Sequence, residues 1–362
     1  MAIIGMATFE PSSQGSARSC PGQRLASGTS FLGEHRPSEP NPTLWVLTDG
    51  KAGDEVQCLG VAERLGLVPE IRRVRPGRPW AWLMPRGPID PREAPDRPDS
   101  PLRPPFPDIA IASGRRAVAY LRALKKASNG RSFTVFLKDP RTGASAADLI
   151  WVPQHDRLRG DNVLVTITSP HRLAPAALAV ARAAPPPALA ALPSPRAAVL
   201  VGGDSRHHRF RPQDVEAFAA RLEALAASGV ALMGSRSRRT PPALEAAVAA
   251  VFKRHGGWWW DGTGANPYVP LLALADAIVV TADSTNMIGE AAATGVPILV
   301  FEPHGGHARL AKFLEALKAY GAVHHFEGRL EGGRYEPLDS TEAIARAVDQ
   351  AWRRHRAVTG LG

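Results

Sequence analysis

Six consecutive positions, Thr281-Ala282-Asp283-Ser284-Thr285-Asn286, follow the apolar run from Ala277 to Val280 and precede small helix formers from Met287 to Ala293. Hydroxyls, a carboxylate and an amide ahead of a helix suit an N-cap, with Asp283 or Ser284 capping. They leave backbone N–H groups and the macrodipole facing an anion. Glu290 lies too deep in that helix to be a capping-box acid and is placed to accept hydrogen bonds from a ribose. A well-capped surface helix has the same pattern. Two further loops strengthen the ligand reading. Gly202-Gly203-Asp204-Ser205 ends the run from Ala197 to Val201, and Gly234-Ser235-Arg236-Ser237-Arg238-Arg239 brings serine and arginine to a helix start. Ser235 with Arg236 is chemistry for a diphosphate.

The first half holds a second set. Asp49-Gly50-Lys51-Ala52-Gly53-Asp54 turns from an apolar run into a helix expected near Asp54 or Glu55, which carries Gln57. Asp49 offers a base, Lys51 a charge, and Gly50 and Gly53 a backbone that a ligand can approach. Neither the P-loop spacing nor G-x-G-x-x-G is present, so ATP hydrolysis and nicotinamide chemistry lose their signatures. Ser113-Gly114-Arg115-Arg116, Lys138-Asp139-Pro140-Arg141 and Pro153-Gln154-His155-Asp156 end successive apolar runs in the same way. His155 titrates near neutrality and suits general-base work on a hydroxyl, with His171 in reserve. His304 and His307 lack a carboxylate at ligand spacing, so no metal is expected.

These groups must be positioned by a repeating strand–loop–helix pattern. Apolar runs begin at Leu44, Asp108, Phe133, Leu149 and Val163, then again at Ala197, Val230, Trp258, Ala277 and Pro297. Apolar runs with no polar alternation are buried on both faces, as in parallel sheets. In open α/β sheets, ligands bind at the carboxyl ends of the strands. Among the three tryptophans at 258–260, at least one is expected in the core. The fold class is α/β, with two Rossmann-like domains facing a central cleft. Expected boundaries are a disordered tail over 1–42, an acceptor domain over 43–180, a Pro-rich linker over 181–196 and a donor domain over 197–340. A last helix, 341–362, is expected to cross back to the first domain.

The net charge of +10 favours anionic partners. Two cysteines, Cys20 and Cys58, exclude a disulfide framework. No apolar run reaches the ~18 residues of a membrane span. Residues 75–107 mix Pro and Arg with Trp80 and Trp82; a packed loop is the expectation, with peripheral membrane or acceptor contact as the alternative.

Several motifs in order carry a family resemblance: L-T-D-G-K-A-G-D-E-V-Q (47–57), A-S-G-R-R (112–116), K-D-P-R (138–141), V-P-Q-H-D (152–156), V-G-G-D-S (201–205), G-S-R-S-R-R-T-P (234–241), N-P-Y (266–268) and T-A-D-S-T-N-M-I-G-E-A (281–291). Together they resemble the mitochondrial fission ELM1 family, whose architecture is similar to GT-B glycosyltransferases. The family's usual Gln-x-Pro-Arg stands here as Lys138-Asp139-Pro140-Arg141. The resemblance implies a nucleotide-diphosphate sugar as substrate, no cofactor and no metal. Ser235, Arg236 and Ser284 to Asn286 would hold the diphosphate, and Glu290 the ribose. Gly202, Gly203 and Asp283 complete the donor side; Gly50, Lys51, Gly53, Gln57, Ser113, Gly114 and Arg115 form the acceptor side, with Asp49 or His155 as base. A cell-envelope glycan or lipid-linked acceptor and a cytoplasmic place, peripheral on the inner membrane, follow by analogy. Two other activities fit the plan. One is a non-catalytic nucleotide-sugar-binding or adaptor protein, as in the fission role of plant members with a dynamin-related partner. The other is a sugar-nucleotide 2-epimerase-like enzyme. Nucleic acid suits the charge but not the loops.

Overall fold

The computed structural model describes residues 41–360; the expected tail, but for its last two residues, and Cys20 lie outside them. The first sheet contains β1 (Leu44–Thr48), β2 (Glu70–Arg73), β3 (Ile109–Ser113), β4 (Phe133–Leu137), β5 (Leu149–Pro153) and β6 (Val163–Thr166), all parallel, in the order β2-β1-β3-β4-β5-β6. The second contains β7 (Arg196–Val201), β9 (Ala231–Arg236), β10 (Trp258–Trp260), β11 (Ala277–Thr281), β12 (Ile298–Phe301) and β14 (Val323–His325), in the order β10-β9-β7-β11-β12-β14. Two short strands, β8 (His208–Arg209) and β13 (His304–Gly305), form an antiparallel pair beside it. Central strands β1, β3, β4 and β11 are buried throughout, because helices cover both sheet faces.

The strand order reverses direction between β1 and β3 in the first sheet and between β7 and β11 in the second. These are the topological switch points where an open α/β sheet leaves a crevice. Both crevices open at strand carboxyl ends.

Two segments pack away from their place in the sequence. Leu173, Leu178, Ala181 and Leu189 join the second domain's core with Ile278 and Leu314. The helix Pro175–Ala183 thus belongs to the second domain, not to the first as expected, and Pro187–Ala190 is a short helix within the expected linker. Its prolines occupy first-turn positions, where the missing N–H costs nothing. Conversely, the final helix Ser340–Thr359 places Ile344, Ala345, Val348 and Trp352 in the first domain's core against Cys58, Val61 and Ile111. The two domains meet where it starts. Thr168 Oγ1 and Ser340 Oγ lie 2.6 Å apart, and the His171 N–H donates to Thr341 Oγ1 at 2.8 Å. Arg64 donates to Asp339 and Glu342 at 2.6 and 2.9 Å. None of the three adjacent tryptophans is fully buried, since β10 is an edge strand; Trp258 and Trp259 pack against cores on opposite faces.

Candidate functional site

In the first domain the helix Ala52–Arg64 starts two residues earlier than expected. Gly50, at φ 85°, makes the turn, and extended Lys51 is the N-cap. Gly53 thereby falls in the first helical turn, where an added Cβ would meet no protein atom within 4 Å, so the protein's own packing does not require glycine there. Gln57 faces inward from the same helix. It is 6% exposed, and its Oε1 has no protein partner.

Asp49 is not open to the cleft. Its side chain is 4% exposed, with Lys51 Nζ at 3.6 Å, and it lies behind Gly114, whose added Cβ would stand 3.2 Å from Asp49 Oδ1. A base must reach its proton, so the assignment to Asp49 is corrected. Of this turn's two carboxylates the one that lines the space is Asp54, paired with Lys138. Ser113 also points away, donating to the Leu137 carbonyl and tying β3 to β4.

Three adjoining cavities run along the interdomain cleft, of about 390, 360 and 330 Å³. Lys51, Gly114, Arg115, Lys138 and Arg141 line the first, at the β1/β3 switch point. His155, Arg157 and Lys312 line the second. The third brings Gln57, Trp151, His155 and Ser169 of the first domain against Thr285, Asn286, His307 and Phe313 of the second. Asp156 and Arg309 line all three and stand 4.0 Å apart across the domains. His155 is half-buried. Burial chiefly holds its pKa below the ordinary imidazole value, and Arg309, His307 and Lys312 push the same way against Asp156. Its ring is therefore neutral near pH 7 and able to take a proton. His307 is the N-cap of the helix Ala308–Tyr320, its Nδ1 accepting from the Leu310 N–H at 3.2 Å.

The expected donor residues divide. Ser284 is the N-cap of the helix Thr285–Ala292, and Thr285 and Asn286 stand exposed at its start, lining the third cavity. The others are engaged within the protein. Asp283, with a fully buried side chain, accepts from the Gly203 N–H at 3.0 Å, Thr281 Oγ1 at 2.7 Å and Arg239 Nη2 at 2.8 Å. It fills the second sheet's switch-point crevice. Gly202 and Gly203 are glycines for the protein's own packing: an added Cβ would lie 2.1 Å from Asp283 Oδ1 at one and 1.9 Å from the Arg239 carbonyl at the other. Ser235 is buried on β9. Arg236 pairs with Glu245 at 3.0 Å and donates to the Asp261 carbonyl at 2.9 Å. Glu290 is half-buried and accepts from Tyr268 Oη; burial raises its pKa, and the Tyr268 hydrogen bond opposes that.

The reading of the sequence missed Arg309 and Lys312. A signal was present: both are cations at the N-terminal end of a helix whose first turn has no acid, where the macrodipole disfavours them.

Two doubly wound sheets that face a cleft across their strand carboxyl ends define a GT-B-like protein. Residues 52–352 match the sequence model described as mitochondrial fission ELM1, and the chain belongs to that family. The mitochondrial fission protein ELM1 of Arabidopsis thaliana is 28% identical over 284 residues, covering 70% of this chain and 65% of that protein. The uncharacterized protein RP120 of Rickettsia prowazekii is 28% identical over 161 residues, 42% of this chain and 45% of its own length. The matched region therefore spans less than two thirds of either relative. Among solved structures, Acinetobacter baumannii MurG aligns at 15% identity and a TM-score of 0.45, over 87% of this chain and 95% of that one.

Proposed function

We propose that the protein is a metal-independent glycosyltransferase that moves a sugar from a nucleotide-diphosphate sugar to a cell-envelope glycan or lipid-linked acceptor. One observation carries the reading: the His155 imidazole and a helix N-terminus, from different domains, line the same 330 Å³ cavity. His155 takes the proton of an acceptor hydroxyl as its oxygen bonds to the sugar's anomeric carbon. The bond from that carbon to the diphosphate breaks, and the nucleoside diphosphate leaves. The leaving charge meets the N–H groups at Thr285 and Asn286 and the cations Arg309 and Lys312, so the chain itself supplies the stabilisation. Gln57 lines the same cavity.

Among the described residues no helix is long and apolar enough to cross a membrane. A peripheral contact at the cytoplasmic face of the inner membrane is supported instead by Trp82 and Leu83, 68% and 52% exposed beside Arg78 and Arg86. Arg115 and Arg122 hold that segment from behind through its carbonyls.

A non-catalytic adaptor is the second reading, favoured by the internal bonds that occupy Asp283, Arg236 and Glu290. Thermal stabilisation by UDP-, GDP-, ADP-, CMP- and dTDP-sugars separates the two. At about 100 times its dissociation constant a bound donor adds about 2.7 kcal/mol, a shift that Asn286→Ala diminishes. No shift with any donor sinks the transferase reading and leaves the adaptor.

A further inference from the structure

The first cavity contains a feature that donor binding in the third does not use. Among the described residues only three non-glycine residues have positive φ: Asn129, Lys138 and Arg141, at 51°, 94° and 59°. Asparagine tolerates that region; lysine and arginine enter it at a cost. Both cations belong to one four-residue turn, Lys138-Asp139-Pro140-Arg141, and all four residues line the cavity. The Lys138 N–H ties the turn to β5 by donating to the Trp151 carbonyl at 2.7 Å, and the Arg141 N–H closes the turn on itself by donating to Asp139 Oδ1 at 2.8 Å. Strain kept in place by its surroundings, at a cavity wall, marks a working site.

The charge around that cavity is unbalanced. Lys51, Arg115, Lys138, Arg141 and Arg309 face it with only Asp54, Asp139 and Asp156. Lys138 is paired with Asp54, Lys51 lies near Asp49, and Arg309 stands loosely by Asp156. The Arg115 guanidinium donates to the Ala81 and Met84 carbonyls, which orient it without neutralising it. Among the described residues the Arg141 side chain has no ion-pair partner. Two guanidiniums with uncompensated charge thus converge on a walled space at the β1/β3 switch point, where planar forks match phosphate oxygens.

We infer that the first cavity is a phosphate clamp, and that the acceptor enters carrying a phosphomonoester or diphosphate gripped by Arg115 and Arg141, with Lys51 and Arg309 at its rim. The word acceptor rests on the transferase reading; the anion site does not. The same oxygens could instead come from the donor's own diphosphate, and the experiment distinguishes the two.

Inorganic pyrophosphate is titrated calorimetrically into the full chain, wild type and Arg141→Asn, with and without each nucleoside diphosphate at saturation. Wild type binds one pyrophosphate, and binding persists with nucleotide present. Arg141→Asn weakens it about ten-fold, the loss of one charge-assisted contact. Because asparagine accepts the left-handed backbone, the variant melts no lower than wild type, which separates lost binding from lost folding. Equal binding by wild type and Arg141→Asn, or none by either, overturns the clamp. Complete displacement by a nucleotide overturns the assignment to the acceptor, because the anion would then be the donor's. Pyrophosphate binding without binding of any nucleotide sugar sinks the transferase reading alone and leaves the clamp standing.

Discussion

Replacing Asp283 by Ala distinguishes a ligand contact from a latch. Its carboxylate holds the β7 loop through the Gly203 N–H, β11 through Thr281 Oγ1 and the β9 loop through Arg239. Alanine leaves the Gly203 N–H and the fully buried Thr281 hydroxyl without acceptors. An orphaned buried donor costs about 1–3 kcal/mol. Arg239 is 44% exposed and rehydrates, so its ion pair adds at most about 1 kcal/mol. Relief from burying the carboxylate offsets part of the sum, which leaves a loss of about 3 kcal/mol. For a domain of this size that lowers Tm by roughly 6–12 °C. The measurement is a melt of the ligand-free protein, followed by tryptophan fluorescence and far-UV circular dichroism. Thr285→Ala and Asn286→Ala serve as controls, exposed positions expected to shift stability by no more than about 0.5 kcal/mol. An unchanged melt for Asp283→Ala together with lost nucleotide binding would refute the latch and return Asp283 to the donor site.

His155→Ala should lower turnover by about 10²–10⁴ while leaving donor binding intact, measured as kcat against the donor's melting shift. Since the His155 pKa is depressed and the neutral ring is the active form, the acid limb of the rate profile should fall below the ordinary imidazole value. His171 is buried, and burial chiefly lowers its pKa, with Arg64 pushing the same way against Asp339 and the Leu173 backbone. The unfolded state then binds more protons in acid, so this contribution is complete above the unfolded value of about 6.5 and lost as pH falls below it. His171→Leu should flatten the dependence of Tm on pH over that window. Trp352→Ala removes a buried ring from the first domain's core and should cost about 3–5 kcal/mol, read in urea unfolding.

The strands that were legible in the sequence are those whose two faces are both covered. The runs at β1, β3, β4 and β11 have no polar alternation because helices lie on either side. Glu70–Arg73 and Val323–His325 are edge strands, half-solvated and polar, and gave no such pattern. Within the site, His155, Gln57, Thr285 and Asn286 converge as residue type suggested. Asp283 and Arg236 did not, because a carboxylate or guanidinium in a loop has the same local sequence whether its partner is a ligand or a distant protein group. The Gly203 and Arg239 partners of Asp283 are 80 and 44 positions away. Arg309 and Lys312 stand out locally as cations at an acid-free helix start, but which residues they face is set by the docking of one domain on the other.

The final helix also has a consequence for biosynthesis. Domains generally fold in order as the chain emerges from the ribosome. Here the first sheet precedes the second, yet Ile344, Val348 and Trp352, which close one face of it, are made only after the second domain's core. The second domain, whose core runs from Leu173 to Phe326, is complete before them. The domain that begins first therefore finishes last, and its exposed face must wait through the synthesis of its neighbour. A stop codon ahead of residue 340 would leave the second domain's core whole and the first domain without a wall.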